Sequence, residues 1–275
     1  MPINGSVLFQ STGDALTASV PSLMILGTAN FTVEAWVYLN DYTFVNTILS
    51  RNDTANTGGT AGSWYFGMNN STGQMQWGQS TTDYWSTTGP VVTLNQWNHV
   101  VYQRSGTTIT GWLNGTLGIT QTLSIDLNAT GNINIGRGRG SSTNGFSGYI
   151  SNLRVTTGTA LYTTTFTPST AYLSPISDTQ LLIARYFEPN STIPDYSTNS
   201  ITFTKSNTSL GSNIRSPSTA NPSLADTLSL SQGISTNLYS FMSPSASKTL
   251  YLGNSDALLD RGLTNPEDSY AIDNN

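Results

Sequence analysis

Between Phe31 and Leu39 the chain reads as a strict alternation. Phe31, Val33, Ala35, Val37 and Leu39 fall on one face of an extended segment, and Thr32, Glu34, Trp36 and Tyr38 on the other. Side chains of a strand point to opposite faces in turn, so this pattern predicts a strand whose first set lies in a core. Shorter runs of strand character obey the same logic: Ser6–Gln10, Ala15–Ala18, Thr47–Arg51, Trp64–Met68, Met75–Gly78, Trp97–Arg104, Ile109–Leu113, Ile133–Gly136 and Gly148–Val155. Leu181–Phe187 and Ile201–Thr204 read as later strands of the same domain. Between the runs lie turn clusters. Asn69–Gly73 has the pattern of a hairpin connection, and Asn114–Gly115 is the strongest short hairpin signal in the chain. Many short strands separated by turns predict an all-β sandwich or barrel.

The pattern stops near Arg215. Ser216–Ser223 is rich in Ser and Pro, the composition of a linker. Beyond it, apolar residues are too scattered to form a core of their own. Residues 1–215 are therefore expected to form the folded domain. Residues 216–275 are expected to be an extended arm, ordered only by docking on something else.

Composition agrees with many turns and short strands. Hydrophobic residues make up 36% of the 275 and charged residues 9%, against about 45–50% and about 25% in ordinary soluble chains. Disorder usually couples low hydrophobicity to high net charge. Here the net charge is only -5 and aromatics reach 10%, which favours a packed fold. Two lysines and eight widely spread arginines give no cationic track for nucleic acid. No run of about 18 apolar residues predicts a membrane span. Met1–Asn4 does not lead into an apolar run, so no signal peptide is expected. The many Asn-x-Ser/Thr triplets are expected from chance in so Asn-, Ser- and Thr-rich a chain.

The candidate chemistry is sparse. His99 is the only histidine and there is no cysteine, so a histidine cluster or a zinc–thiolate site is excluded. His99 is expected to be structural, with its ring nitrogens hydrogen-bonded. Glu34, Glu188 and Glu267 are the only glutamates, and none has an acidic neighbour at strand spacing. A glycosidase needs two carboxylates flanking the scissile bond. Gly136–Gly140 is glycine-rich, but a strand rather than a helix is expected after it, so it is not a phosphate cradle. Calcium is the one cofactor to weigh. It takes six to eight oxygen ligands, and Asp53, Asp83 and Asp126 are the weak candidates. Sugar recognition pairs an aromatic face with planar polar groups, often on loops. Tyr84 and Trp85, read as loop residues, are the aromatic candidates. Arg137 and Arg139 in a second loop are the donors. Trp36, Trp97 and Trp112 are expected to pack.

Several motifs resemble the laminin-G-like, concanavalin A-like lectin domains. They are Gly5–Phe9 with Thr12–Leu16, Phe31–Tyr38, Gln96–Val101, Trp112–Gly115, Ile133–Arg137 and Phe146–Arg154, in that order. The resemblance implies a two-sheet antiparallel jelly roll. It implies that Glu34 is a structural residue of its strand, unlike the paired acids of laminarinase-type relatives. Gly158–Tyr162, Phe166–Pro168 and Asp178–Leu182 are similar to segments of lectin-like domains in virion proteins of tailed bacteriophages. That implies a non-enzymatic virion protein, of capsid-decoration or fibre type. Its partners would be other virion proteins, reached through the C-terminal arm, further copies of itself, and a host-surface glycan. A free glycan-binding lectin or adhesin is the alternative.

Overall fold

The computed structural model describes residues 5–213, apart from 21, 53–62, 80–83, 86–88, 123, 139–143, 187–192 and 207–211. Asp53, Asp83, Arg139 and the expected arm lie outside the described residues. The described residues form strands, turns and irregular segments, with no helix among them.

Two antiparallel sheets enclose one core. The first contains β1 (Ser6–Phe9), β3 (Phe31–Leu39), β8 (Trp97–Ser105), β9 (Thr108–Leu113), β10 (Thr116–Thr122), β12 (Gly148–Thr157), β13 (Thr179–Ile183) and β15 (Ser212–Asn213). Its order is β10-β9-β8-β3-β12-β1-β15, with β13 also on β12. β1 pairs with residues 148–150 of β12, and β13 with residues 153–156. The second sheet contains β2 (Leu16–Ala18), β4 (Asn46–Arg51), β5 (Trp64–Met68), β6 (Met75–Gln79), β7 (Tyr84–Trp85), β11 (Ile133–Ile135) and β14 (Thr204–Lys205). Its order is β14-β2-β11-β4-β5-β6-β7.

The expected inward face of β3 is the observed one. Phe31, Val33, Ala35, Val37 and Leu39 all belong to the core, facing Trp64, Phe66, Met68, Met75 and Trp77 of the other sheet. Burial of large aromatic and aliphatic side chains, at about 25 cal/mol per Å² of apolar surface, drives the closure. Both expected hairpins form. Asn114 and Gly115 carry φ of 50° and 81° between β9 and β10, the positive pair that a type I′ turn requires. The later strands are shorter than expected: β13 ends at Ile183, and of Ile201–Thr204 only Thr204 enters a strand, with Lys205.

An irregularity in β12 sets the chemistry of the outer face of the first sheet. Strict alternation from Ile150 would send Arg154 into the core. The pairing of β12 with β3 shifts register between Ser151 and Arg154, and Asn152 there has φ of 50°. A β-bulge of this kind reverses the phase of the strand. Leu153 and Val155 take the core positions, and Arg154 emerges on the outer face opposite Glu34.

Candidate carbohydrate-binding site

The outer face of the first sheet does not meet solvent where alternation alone would place it there. Thr32 and Glu34 are each 1% exposed and Trp36 is 8% exposed. Residues 158–178 form a strap across this face. Its two ends meet where the Thr157 amide donates to the Asp178 carbonyl at 3.2 Å. The strap is pinned mainly by sheet side chains rather than by strand pairing. Thr32 Oγ1 donates to the Thr159 carbonyl and accepts from the Leu161 amide. The Gln103 amide both accepts from and donates to the backbone of Tyr162. Trp36 Nε1 donates to the Ser169 carbonyl at 3.0 Å. The Leu173 amide donates to Asn152 Oδ1 at 2.8 Å, and Arg154 Nη1 donates to the Ser174 carbonyl at 2.9 Å.

Beneath the strap lies a buried ionic cluster centred on Glu34. Its Oε1 accepts from Arg154 Nε at 2.9 Å and Nη2 at 2.5 Å. Its Oε2 accepts from the Tyr162 hydroxyl at 2.6 Å and faces His99 Nε2 at 3.2 Å. Burial alone would raise the carboxyl's pKa. The His99 hydrogen bond, the Arg154 charge and the Tyr162 hydroxyl outweigh it and hold Glu34 below its ordinary value near 4.5. Burial, then the Glu34 charge, pushes the Tyr162 phenol well above its ordinary range. His99 differs from expectation in one respect. Nε2 is bonded, but Nδ1 is buried without a hydrogen-bond partner. The rings of Tyr162 and Phe166 stack at 3.9 Å, and His99 meets Phe166 edge-on at 5.8 Å. A carboxylate with four donors, under a strap, is a structural anchor and cannot flank a scissile bond.

An open groove of about 470 Å³ runs between the strap and the β9–β10 hairpin. Trp112, Gln103 and Tyr162 line it, with Thr110, Leu117 and Thr120 supplied by the hairpin. Leu117 is 46% exposed. The Trp112 indole donates to Thr110 Oγ1 at 3.1 Å and packs on Phe166. Trp112 thus packs as expected and also lines a concave surface. The groove itself depends on where the strap crosses the sheet, which no local sequence signal states.

Of the expected sugar contacts, Tyr84 and Trp85 are not in a loop. They form β7, the edge of the second sheet, with Trp85 paired to Gly78 and Tyr84 to Gln79. Arg137 lies two residues past the end of β11 and is half-buried; its carbonyl accepts from Ser50 Oγ at 2.8 Å. Four strand spacings separate β11 from β7, roughly 19 Å at about 4.8 Å each. Arg137 and Trp85 therefore do not sit on neighbouring strands. Asp126 is exposed, and its Oδ2 accepts from Asn128. Burial lowers the Arg104 guanidinium, and the Asp126 charge partly restores it. Among the described residues no three Asp, Glu, His or Cys side chains converge on one point.

The family model for the concanavalin A-like lectin/glucanases superfamily matches residues 10–162, more than half of the chain. The chain belongs to this superfamily. Among solved structures, a proposed carbohydrate-binding protein from Bacteroides ovatus is similar at 16% identity and a TM-score of 0.53, covering 78% of this chain and 60% of that one. The carbohydrate-binding module (CBM40) of a Ruminococcus gnavus sialidase is similar at 16% identity and a TM-score of 0.45, over 57% of this chain and 92% of the module. A pentraxin from Limulus polyphemus is similar at 18% identity and a TM-score of 0.42, over 55% of this chain and 75% of that one. At such identities the likeness concerns the fold. The chain spans 60% of the Bacteroides protein's length. No curated protein sequence matches.

Proposed function

We propose that this superfamily member is a non-enzymatic, glycan-binding β-sandwich. The observation that carries the reading is the open groove of about 470 Å³ beside the strap. Ligand sites are concave, commonly about 300–1,000 Å³, with apolar walls and a few placed polar groups. Trp112, Tyr162 and Leu117 supply the apolar part, and Thr110, Thr120 and Gln103 the polar part. The Glu34 carboxylate beneath the strap is consumed by Arg154, Tyr162 and His99, which supports binding over hydrolysis. The β7 edge carrying Trp85 is a second location for the same activity.

The test is binding of the full chain to an array of host-surface and algal polysaccharides. Thr120→Arg fills the groove from an exposed position and is expected to remove binding if the ligand lies there. Trp85→Ala is expected to remove it if the ligand lies on β7. A wild type that binds nothing on the array, or that hydrolyses a glucan, refutes the reading.

We further propose display on a bacteriophage particle, with residues 216–275 docking the sandwich to capsid or tail proteins and copies of the chain assembling together. The similarity of the strap segments to phage virion domains and the coreless composition of residues 216–275 support this. Deleting residues 216–275 should abolish incorporation into particles while the sandwich keeps its fold. Full incorporation of the truncated chain would end this part of the reading.

A further inference from the structure

Arg185 stands two residues past the end of β13, outside the groove and outside the ionic cluster. Three tyrosine rings surround its guanidinium, with the Cζ atom 5.2 Å from the Tyr172 centroid, 4.7 Å from Tyr186 and 5.2 Å from Tyr196. The rings brace one another, Tyr172 on Tyr186 at 5.0 Å and Tyr186 on Tyr196 at 5.2 Å. Tyr172 comes from the strap, and Tyr186 and Tyr196 from the chain beyond β13. Cation–π contacts from several sides fix a guanidinium in orientation without using its hydrogens.

One of those hydrogens is left over among the described residues. Arg185 Nε is buried and has no hydrogen-bond partner. The residue as a whole is half-buried. Both ion pairs among the described residues go to Glu34 and neither involves Arg185. Asp195, next to Tyr196 in sequence, is fully engaged: its two oxygens accept from the amides of Leu182, Ser197 and Ile201 and from Ser197 Oγ. A guanidinium held in one orientation by ring contacts can meet a planar carboxylate in bidentate fashion through its terminal pair of N–H groups. Among the described residues no second cation stacks with it, and one fork suits a monoanion.

We propose that the Arg185 clamp binds the carboxylate of an acidic sugar, a uronate-type residue. This rests on the reading of the domain as glycan-binding and names a substrate class for it. The chain's net charge of -5 disfavours unspecific attraction of polyanions, so a preference for an acidic glycan must come from a local site.

The experiment compares binding of the full chain to polygalacturonate and to its carboxyl-reduced neutral counterpart, in 150 mM salt, with Arg Nε–H resonances followed by NMR during a galacturonate titration. The wild type is expected to prefer the acidic polymer by on the order of ten-fold or more, the worth of a charge-assisted hydrogen bond. Arg185→Gln should lose that preference and keep its affinity for the neutral polymer. Arg185→Lys keeps the charge and the ring contacts but not the fork, and should lose most of the preference; it also serves if the Gln variant does not fold. Galacturonate should move the Arg185 Nε–H resonance. The proposal is overturned if Arg185→Gln and Arg185→Lys retain the preference, if dextran sulfate competes as well as the uronate polymer, or if the wild type shows no preference and the resonance stays still. If neither polymer binds but galacturonate moves the resonance, the glycan-polymer reading fails and the carboxylate site stands.

Discussion

Replacing Arg154 by Met removes the principal counter-charge of Glu34 and keeps most of the apolar stem. In the wild type, Glu34 is 1% exposed and Arg154 is 9% exposed at the side chain, with two donors on Oε1. Breaking a buried pair by removing one partner strands a charge and costs about 3–5 kcal/mol. For a domain of this size that is roughly 6–20 °C in Tm, at about 2–4 °C per kcal/mol. Urea denaturation followed by tryptophan fluorescence reads the loss as a lower midpoint with an unchanged m-value. The pH dependence carries the sign. Glu34's folded-state pKa lies below its unfolded value near 4.5, so its contribution is present above about pH 4.5 and is lost as pH falls through the folded pKa. The His99 hydrogen bond and the Arg154 charge both depress this pKa, and Arg154→Met removes the second. The penalty should therefore be largest at neutral pH and shrink near pH 4, where the stranded carboxyl takes up a proton. A cycle with Glu34→Gln tests the coupling. The double variant strands no charge and should recover about 1–3 kcal/mol relative to the sum of the single losses. A cost below about 1 kcal/mol for Arg154→Met, or a cycle additive within about 0.5 kcal/mol, would refute the argument.

Tyr162→Phe removes one hydrogen bond to the same carboxylate and should cost about 1.5–3 kcal/mol, checked by the same denaturation curves and by faster amide exchange confined to the strap. Gly115→Ala places a Cβ 1.7 Å from the Phe166 carbonyl oxygen at a φ of 81°; it should destabilise by more than about 1 kcal/mol and loosen the strap around Phe166, seen as protease cleavage between 158 and 178. Removing divalent ions with EDTA is expected to leave both Tm and glycan binding unchanged, because Asp126 already engages Asn128 and faces Arg104; a chelator-sensitive binding curve would instead assign calcium to Asp53 or Asp83.

The alternation in β3 was readable because one face of a strand must be apolar to close a core, and the period of two comes from backbone geometry alone. The Asn114–Gly115 turn was readable because few residues accept two consecutive positive φ values. Arg154 was not readable by the same rule. Counting by twos from Ile150 places it inside, and only the bulge at Asn152, held by the Ala184 carbonyl, turns it outward. Trp85 misled for another reason. A two-residue edge strand among Ser, Thr and Gly has no period to detect, so β7 looked like a loop.

The sandwich class, the core face of each long strand, the hairpin turns and the absence of a paired-acid motif are all written locally in the chain, because each depends on neighbours within a few residues. Only the folded molecule brings residues 158–178 back over the polar face of β3, β8 and β12. It also assembles the Glu34 cluster from residues as far apart as 128 positions, opens the groove along the strap, and gathers Tyr172, Tyr186 and Tyr196 around Arg185. Those arrangements depend on which strand lies beside which, and on side chains bonding to a distant backbone. A chain read one residue at a time carries no local signal for either.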